Sequence, residues 1–322
     1  MIITLTPNPS LDHTIELSAA LERGEVQRAT AATLHPGGKG VNIVRALSAS
    51  ETPALALLPG DAGDAVVRAL VTEGIPHKAL AIGAPLRSNV AITEPDGTTT
   101  KVNEPGPVLT TAQVAALLEL TVEKSEGASW LVLAGSLPPG VPNDFYARVI
   151  DAVRAAHGTH APKIAVDSSG APLRECLQHA PDLLKPNGEE LAELTGFSDG
   201  PALEADPSLA ASAADLLVRQ GVGAVLATLG SKGAVLVSQH GTWHGSGPAI
   251  EAKSTVGAGD SALSGYLLAT LRGDSPEACL QQAVAHGAAA ASLPGTLVPS
   301  LAQTTPSAVV VTALSGSQRD LT

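Results

Sequence analysis

Short, mostly apolar runs alternate with longer helix-like stretches over most of this chain, and that rhythm constrains the fold more than any single motif. Residues 2–6, 54–58, 130–133, 163–167, 183–185, 224–228 and 234–237 are too short for helices and apolar at nearly every position. A strand that is apolar on both faces belongs in the middle of a layered structure, so these runs predict a largely parallel sheet covered by helices. The covering helices are expected at 40–48, 62–73, 111–124, 143–156, 171–178, 187–195, 208–220, 260–271 and 275–293. With 322 residues the chain can bury the core of one large α/β domain.

Two stretches break the rhythm. Residues 12–35 lack helical periodicity, and 14–17 and 26–34 within them read as exposed strands. Residues 88–94 and 98–103 read as a hairpin around Pro95-Asp96-Gly97. These four strands do not suit a buried parallel sheet. They are expected to form a small second sheet, a lid from about 12–35 and 87–104, over the carboxyl ends of the main strands where ligands of open α/β sheets bind. The whole of 1–322 then reads as one domain, with no readable pattern in 300–322.

The charge balance narrows the partners. Lys and Arg total 19 against 31 Asp and Glu, a formal charge of -12, which opposes general affinity for nucleic acid or an anionic membrane. An anionic small molecule would have to be met by a few placed cations. No run of 18 apolar residues suggests a membrane helix, and Met1-Ile2-Ile3-Thr4-Leu5-Thr6 reads as a first strand rather than a signal peptide. Cys176 and Cys279 lie far apart in apolar, helix-like segments, which points to reduced thiols and a cytoplasmic protein. The 9 histidines show no zinc-site spacing.

Several polar loops follow the apolar runs. Ser254-Thr255-Val256-Gly257-Ala258-Gly259-Asp260-Ser261 reads as a tight turn opening a buried helix. Free N–H groups of a first helical turn hold anions, and glycines allow close approach. A carboxylate there would repel the anion, unless Asp260 faces a hydroxyl that must lose its proton to a phosphoryl group. The plainer reading is a helix capped by Asp260. In His35-Pro36-Gly37-Gly38-Lys39-Gly40-Val41-Asn42, Lys39 stands at a positive helix start, an unfavourable place unless an anion pairs with it. A solvated lysine on a turn fits that segment equally well. Asp12, after the first run, suits two neighbouring sugar hydroxyls or a simple turn. In Lys185-Pro186-Asn187-Gly188-Glu189-Glu190, Asn187 and Glu190 have capping-box spacing, and the same oxygens suit a hydrated Mg²⁺. Thr228-Leu229-Gly230-Ser231-Lys232-Gly233 reads as a hairpin-like turn whose N–H and hydroxyl groups suit nucleotide phosphates. Ala134-Gly135-Ser136-Leu137-Pro138-Pro139-Gly140 has the rigidity of a ligand-facing loop. There is no G-x-x-x-x-G-K-[ST] loop and no dinucleotide fingerprint.

In this order the segments resemble the ribokinase/pfkB superfamily of sugar kinases, and within it the 1-phosphofructokinase and tagatose-6-phosphate kinase group. The resemblance covers about residues 1–296 and also rests on Asn103-Glu104-Pro105-Gly106-Pro107 and Val166-Asp167-Ser168-Ser169-Gly170. It implies a three-layer α/β/α fold with a mostly parallel central sheet and a β-sheet lid. It implies ATP and Mg²⁺, with Asp260 as base and Gly257, Ala258 and Gly259 as anion hole. Asn187 and Glu190 would organise the Mg²⁺ through water, and Lys185, Thr228, Gly230 and Gly233 would serve the nucleotide. Asp12, Gly38, Asn42 and Asn89 would hold the sugar, and Lys39, Arg87 and Ser136 the phosphate it already carries. The implied reaction is phosphorylation of a ketohexose phosphate, first among them fructose 1-phosphate at its 6-hydroxyl. The Gly-Gly-Lys-Gly form of the second loop favours that branch over the 6-phosphofructokinases, which lack the lysine. Tagatose 6-phosphate, fructose 6-phosphate, an unphosphorylated sugar and a non-catalytic sugar-phosphate-binding regulator remain alternatives. One position departs from the pattern: related sequences often carry lysine two residues after Asn89, where this chain has Ala91. The lid, with open edges and an apolar face, also suits a homodimer contact.

Overall fold

The computed structural model describes residues 1–314. The chain runs through β1 (Ile2–Leu5), β2 (Ser10–Leu17) and β3 (Ala29–Gly37), then α1 (Lys39–Ala49), β4 (Ala54–Pro59), α2 (Ala65–Thr72) and β5 (His77–Leu80). A hairpin, β6 (Arg87–Thr93) and β7 (Thr99–Asn103), precedes α3 (Thr111–Lys124), β8 (Trp130–Ala134), α4 (Phe145–His157) and β9 (Lys163–Asp167). Next come α5 (Gly170–Glu175), β10 (Leu183–Leu184), α6 (Gly188–Thr195), α7 (Gly200–Ala205), α8 (Pro207–Arg219) and β11 (Ala224–Thr228). The last elements are β12 (Ala234–Ser238), β13 (Gly241–Ser246), α9 (Ala258–Arg272), α10 (Pro276–Ala291) and β14 (Val310–Ala313).

Ten strands form one sheet in the order β14-β13-β12-β11-β10-β9-β8-β1-β4-β5. From β11 to β5 all pairings are parallel, and β12, β13 and β14 extend the sheet antiparallel. Alternation along each strand sends side chains to two separate cores. Ile3, Leu5, Leu131, Leu133, Ile164 and Val166 pack with Phe145, Tyr146, Leu191 and Leu217 of α4, α6 and α8. Ile2, Ala56, Val132, Ala165 and Leu226 pack on the other side with Val41, Val44, Leu263, Leu267 and Leu280 of α1, α9 and α10. The result is the helix-covered, largely parallel sheet that the apolar runs imply, in the three-layer α/β/α arrangement that the family resemblance implies.

Three strands of the large sheet carry no such signal. β5 lies at one edge. β13 (Gly-Thr-Trp-His-Gly-Ser) has few apolar residues, because antiparallel strands near an edge need not be buried on both faces. β14 caps the opposite edge through pairs such as Gly245 with Val311, so the tail from 300 does contribute to the fold; its part 315–322 lies outside the described residues.

The two irregular stretches form a second sheet in the order β3-β2-β6-β7. β2 pairs antiparallel with β3 and parallel with β6, and β6 pairs antiparallel with β7. The hairpin turns through Gly97 at φ 89°, with the Asp96 carboxylate accepting from the Thr98 N–H. Two rows cross all four strands. His35, Asp12, Asn89 and Asn103 form one; Leu34, His13, Val90 and Val102 form the next and face the opposite side.

Candidate functional site

The middle strands deliver their carboxyl ends to one place. β9 ends in Asp167, β10 is followed by Lys185, and β11 ends in Thr228, which bridges to Asn187. Asp167 is fully buried between two ammonium groups: Lys39 Nζ donates to Oδ1 at 2.5 Å, and Lys185 Nζ lies 3.1 Å from Oδ2. Glu190 Oε1 stands 3.7 Å from the same Lys39. The anion that the helix-start lysine calls for is therefore supplied from within the chain. Burial opposes the Lys39 charge, yet Asp167, Glu190 and Asp260 together raise its pKa. Burial would likewise raise the Asp167 carboxyl, but Lys185 and Lys39 hold it below its usual range.

Asp260 enters this cluster from the first turn of α9. It is 7% exposed, and Asn42 of α1 donates to its Oδ2 at 2.9 Å. Burial first, and then the nearby Asp167 charge, push its pKa up to about 6, against the opposing pull of Lys39, Asn42 and Lys185. Gly257 precedes α9 at φ 76°, a left-handed conformation that glycine adopts without penalty. A side chain on Gly259 would come within 3.2 Å of the Lys185 ammonium. Among the described residues, the N–H groups of Gly257, Gly259 and Asp260 meet no backbone or side-chain acceptor, whereas that of Ala258 turns toward the Thr255 carbonyl at 3.4 Å. Free N–H donors and a weakly acidic carboxylate thus share one helix start, suited to an anion and to a proton.

A cavity of about 250 Å³ opens between the small sheet and two loops of the main body. Asp12, Thr14, Asn89 and Lys101 line it on one side; Val256, immediately before Gly257, and Pro294, Gly295 and Thr296 line it on the other. Asp12 Oδ1 accepts from Ser10 Oγ at 2.7 Å and from Asn89 Nδ2 at 3.1 Å, which fixes both side chains. Gly37 lies against the Asp12 carboxylate, where any Cβ would collide with it. Gly38 (φ 109°) packs on Thr6 and begins α1. Lys101 of β7 pairs directly with Ala91, so a cation occupies the neighbouring strand at the position where residue 91 lacks one. Arg87 donates to the Glu104 carbonyl at 3.0 Å, and Ser136 Oγ accepts from Asn8 at 3.3 Å; neither belongs to the lining of this cavity.

The remaining loops adjoin the charged cluster. Asn187 and Glu190 form the capping box their spacing predicts: Glu190 N–H donates to Asn187 Oδ1 at 2.8 Å, and Asn187 N–H to Glu190 Oε2 at 3.0 Å. Both line a second, more open cavity together with Ser169, Glu189 and Glu193. Thr228 N–H donates to the Pro186 carbonyl at 3.0 Å, which holds the Gly230 and Gly233 turn beside Asn187. Gly233 (φ 87°) closes against the Gly245 carbonyl and leaves no room for a side chain. Among the described residues no group of three or more His, Cys, Asp or Glu forms a metal cage. Glu190 Oε1 nevertheless remains outside the capping box, 3.7 Å from the Lys39 ammonium, and such a hard oxygen fits an ion that keeps most of its waters; Asp167 Oδ2 faces the Lys185 ammonium at 3.1 Å.

Asp167 is the principal residue that sequence reasoning did not place. It appears only as part of a recognisable segment, and its partners lie 128 residues away in Lys39 and across the sheet in Lys185. Sequence reasoning does not place Lys101 either; the hairpin around Pro95-Asp96-Gly97, whose register sets it opposite Ala91, is the signal that could have found it.

The sequence profile of the pfkB family carbohydrate kinases matches residues 5–303. The chain is 36% identical over 303 residues to a 1-phosphofructokinase of Haloferax volcanii, with 94% of each chain covered. It is 33% identical over 300 residues to an ATP-dependent 6-phosphofructokinase isozyme 2 of Mycobacterium tuberculosis, covering 92% of this chain and 85% of the relative. Phosphofructokinase-2 from Escherichia coli, solved in complex with substrates and products, superposes with a TM-score of 0.83 at 30% identity, covering 94% of this chain and 96% of that one. The same protein has been solved as a tetrameric inhibited form. No helix among the described residues is long and apolar enough to cross a membrane.

Proposed function

Since the chain belongs to the pfkB family carbohydrate kinases, we propose that it is a fructose-phosphate kinase that transfers the γ-phosphoryl group of ATP to the 6-hydroxyl of fructose 1-phosphate. The observation that carries this reading is Asp260, a carboxylate with its pKa raised to about 6 beside unpartnered N–H groups. In the reaction Asp260 accepts the proton of the attacking hydroxyl as that oxygen bonds to the γ-phosphorus. The bond from phosphorus to the β–γ bridging oxygen breaks, and ADP leaves with its electron pair. A loose transition state needs little early help from a base, so Asp260 acts late. The free N–H groups of Gly257, Gly259 and Asp260 and the Lys39 ammonium stabilise charge on the transferred group; the Ala258 N–H, turned to the Thr255 carbonyl, is not among these donors. Glu190 and Asn187, with Asp167, would hold a hydrated Mg²⁺, which supplies charge neutralisation for the nucleotide phosphates. Lys185, Thr228, Gly230 and Gly233 would flank the nucleotide.

Asp12 and Asn89, with Gly38 and Asn42 beyond them, orient the sugar in this reading. Lys101 of the cavity wall receives its existing phosphate, while Arg87 and Ser136, held by Glu104 and Asn8 outside that lining, would have to turn toward it; the small sheet acts as a lid that excludes water from the transfer. Lys39 is already paired with Asp167, so it serves the reacting end more than the far phosphate. The acceptor is tested by kcat/KM for fructose 1-phosphate, fructose 6-phosphate, tagatose 6-phosphate and free fructose at fixed ATP. Preference for fructose 1-phosphate is expected. Preference for fructose 6-phosphate would place the chain with its Mycobacterium tuberculosis relative, and absence of ADP formation with every sugar would sink the enzymatic reading.

The outer row of the small sheet favours a second copy of the chain as partner. Leu34 is 55% exposed and Val102 59%, and they share one face with His13 and Val90. Burying such a face against its twin is a natural route to a symmetric dimer. Sedimentation of Leu34→Lys should show a lighter species than the parent; equal masses would reject the lid contact. A reduced, cytoplasmic setting follows the two buried thiols, Cys176 and Cys279.

A further inference from the structure

One buried cation takes no part in the chemistry above. Arg45 is 5% exposed on α1, the helix that also carries Lys39 and Asn42. Its Nε donates to Glu73 Oε2 at 3.2 Å, and Nη1 donates to the Thr296 carbonyl at 3.1 Å. Thr296 belongs to the loop that walls the cavity opposite Asp12 and Asn89. Glu73, at the end of α2, uses its other oxygen for His35 Nδ1 at 3.1 Å. His35 lies on β3, directly paired with Asp12.

These contacts form one chain of links: Thr296 carbonyl, Arg45, Glu73, His35, and across the strand pair Asp12. One end is the main-body wall of the cavity and the other is the small sheet. Both walls are thereby fastened to the helix that presents Asn42 to Asp260. A guanidinium with its rigid fork of donors suits this task, since it fixes direction as well as distance. We infer that Arg45 is a positioning residue that sets the width of the acceptor cavity, with Glu73 and His35 as the links that carry its hold to the small sheet. The inference rests on the cavity's being the acceptor site, as proposed above.

Removal of the brace loosens both walls while leaving Asp260, Asn187 and Thr228 in place. The acceptor's KM should therefore rise while that of ATP stays put. For Arg45→Met, assayed with the sugar phosphate that the parent uses best, we expect acceptor KM to rise about tenfold or more, as for misplaced positioning groups. KM for ATP should change by less than about twofold, a ratio worth well under 1 kcal/mol. Arg45→Lys should recover part of the loss. Glu73→Gln keeps the shape of the link and serves if Arg45→Met does not fold; it should shift acceptor KM the same way. Glu73→Gln combined with Arg45→Lys should cost less than the sum of the two, because they break one chain. A fall in melting temperature with acceptor KM unmoved in Glu73→Gln and Arg45→Lys would make the network merely structural. Equal rises in both KM values, or full additivity, would also overturn the inference. If the parent protein turns over no sugar phosphate, the acceptor reading itself fails, and the brace falls with it.

Discussion

The charged cluster at the start of α9 and the cavity under the small sheet are both polar, but they are built on opposite terms. In the cluster the charges are buried and already paired: Asp167 is fully enclosed and Lys185 is 4% exposed. Low local dielectric makes each pairing strong and each unpaired charge costly, so pKa values move. In the cavity wall β7 is exposed along its length, and Asp12 is shared by Ser10 and Asn89 through hydrogen bonds rather than ion pairs. The cluster is preorganised for chemistry at its own cost, and the cavity wall is left open for a ligand to complete. Mutations should expose this difference, as large, pH-dependent effects in the one and modest, salt-dependent effects in the other.

The largest expected effect is at Asp260. Asp260→Asn should lower kcat by about 10³-fold, within the range for loss of a general base, with acceptor KM little changed. In the parent, kcat/KM should fall as pH drops through about 6, where the free carboxyl takes its proton. Stability should show the opposite face of the same shift. A carboxyl whose pKa is raised on folding costs the native state in its ionised form, fully above pH 6 and not at all below the unfolded value of 3.8. Asp260→Asn should therefore stabilise the fold at pH 8, by at most about 3 kcal/mol, and the gain should fade as pH falls through that window. Denaturant melts of parent and variant at pH 8 and pH 4 check this; a gain over the parent that is no larger at pH 8 than at pH 4 would count against the buried, ionised carboxylate.

Asp167→Asn comes next. It leaves Lys39 and Lys185 facing each other without their shared anion, and should destabilise by about 3–5 kcal/mol, the usual loss when one partner of a buried pair is removed. Joint replacement of Asp167 by Asn and Lys185 by Met should cost less than the sum, as urea melts of the set would show. Strict additivity would mean that the pair is not energetically one unit. The smallest effect is expected at Lys101 on the exposed strand. Lys101→Ala should raise acceptor KM by about 1.5- to fivefold, the value of an exposed charge pair, and the difference should shrink in high salt. An effect as large as that of Asp260→Asn would erase the contrast between the two regions.

Legibility in the sequence followed the range of the interactions. The helix over Thr111–Lys124 and the capping box of Asn187 and Glu190 depend on neighbours three or four residues apart, and both are found as expected. The apolar runs of β9 and β11 were readable because burial on both faces leaves their middles, Ile164–Val166 and Ala224–Ala227, without a polar position. β13 and β14 were not, since an edge partner such as Val311 against Gly245 lies far along the chain and asks little of local composition. Within the site, Gly257–Asp260 announced itself as a glycine turn with an awkward carboxylate. Its partner Asn42 lies 218 residues away, and no local pattern joins the two.

The sequence by itself determined the layered α/β class, the helix starts and the set of polar loops that follow the strands, because periodicity, capping and glycine geometry act over a few residues. It also carried the family resemblance that the profile match over residues 5–303 bears out. Only the tertiary structure decided which loops meet. It paired Lys39 with Asp167, put Lys101 opposite Ala91, and tied Arg45 to both walls of the cavity. The charges of a site act through space over a few ångströms, and which groups stand that close is settled by strand order and by packing on the sheet.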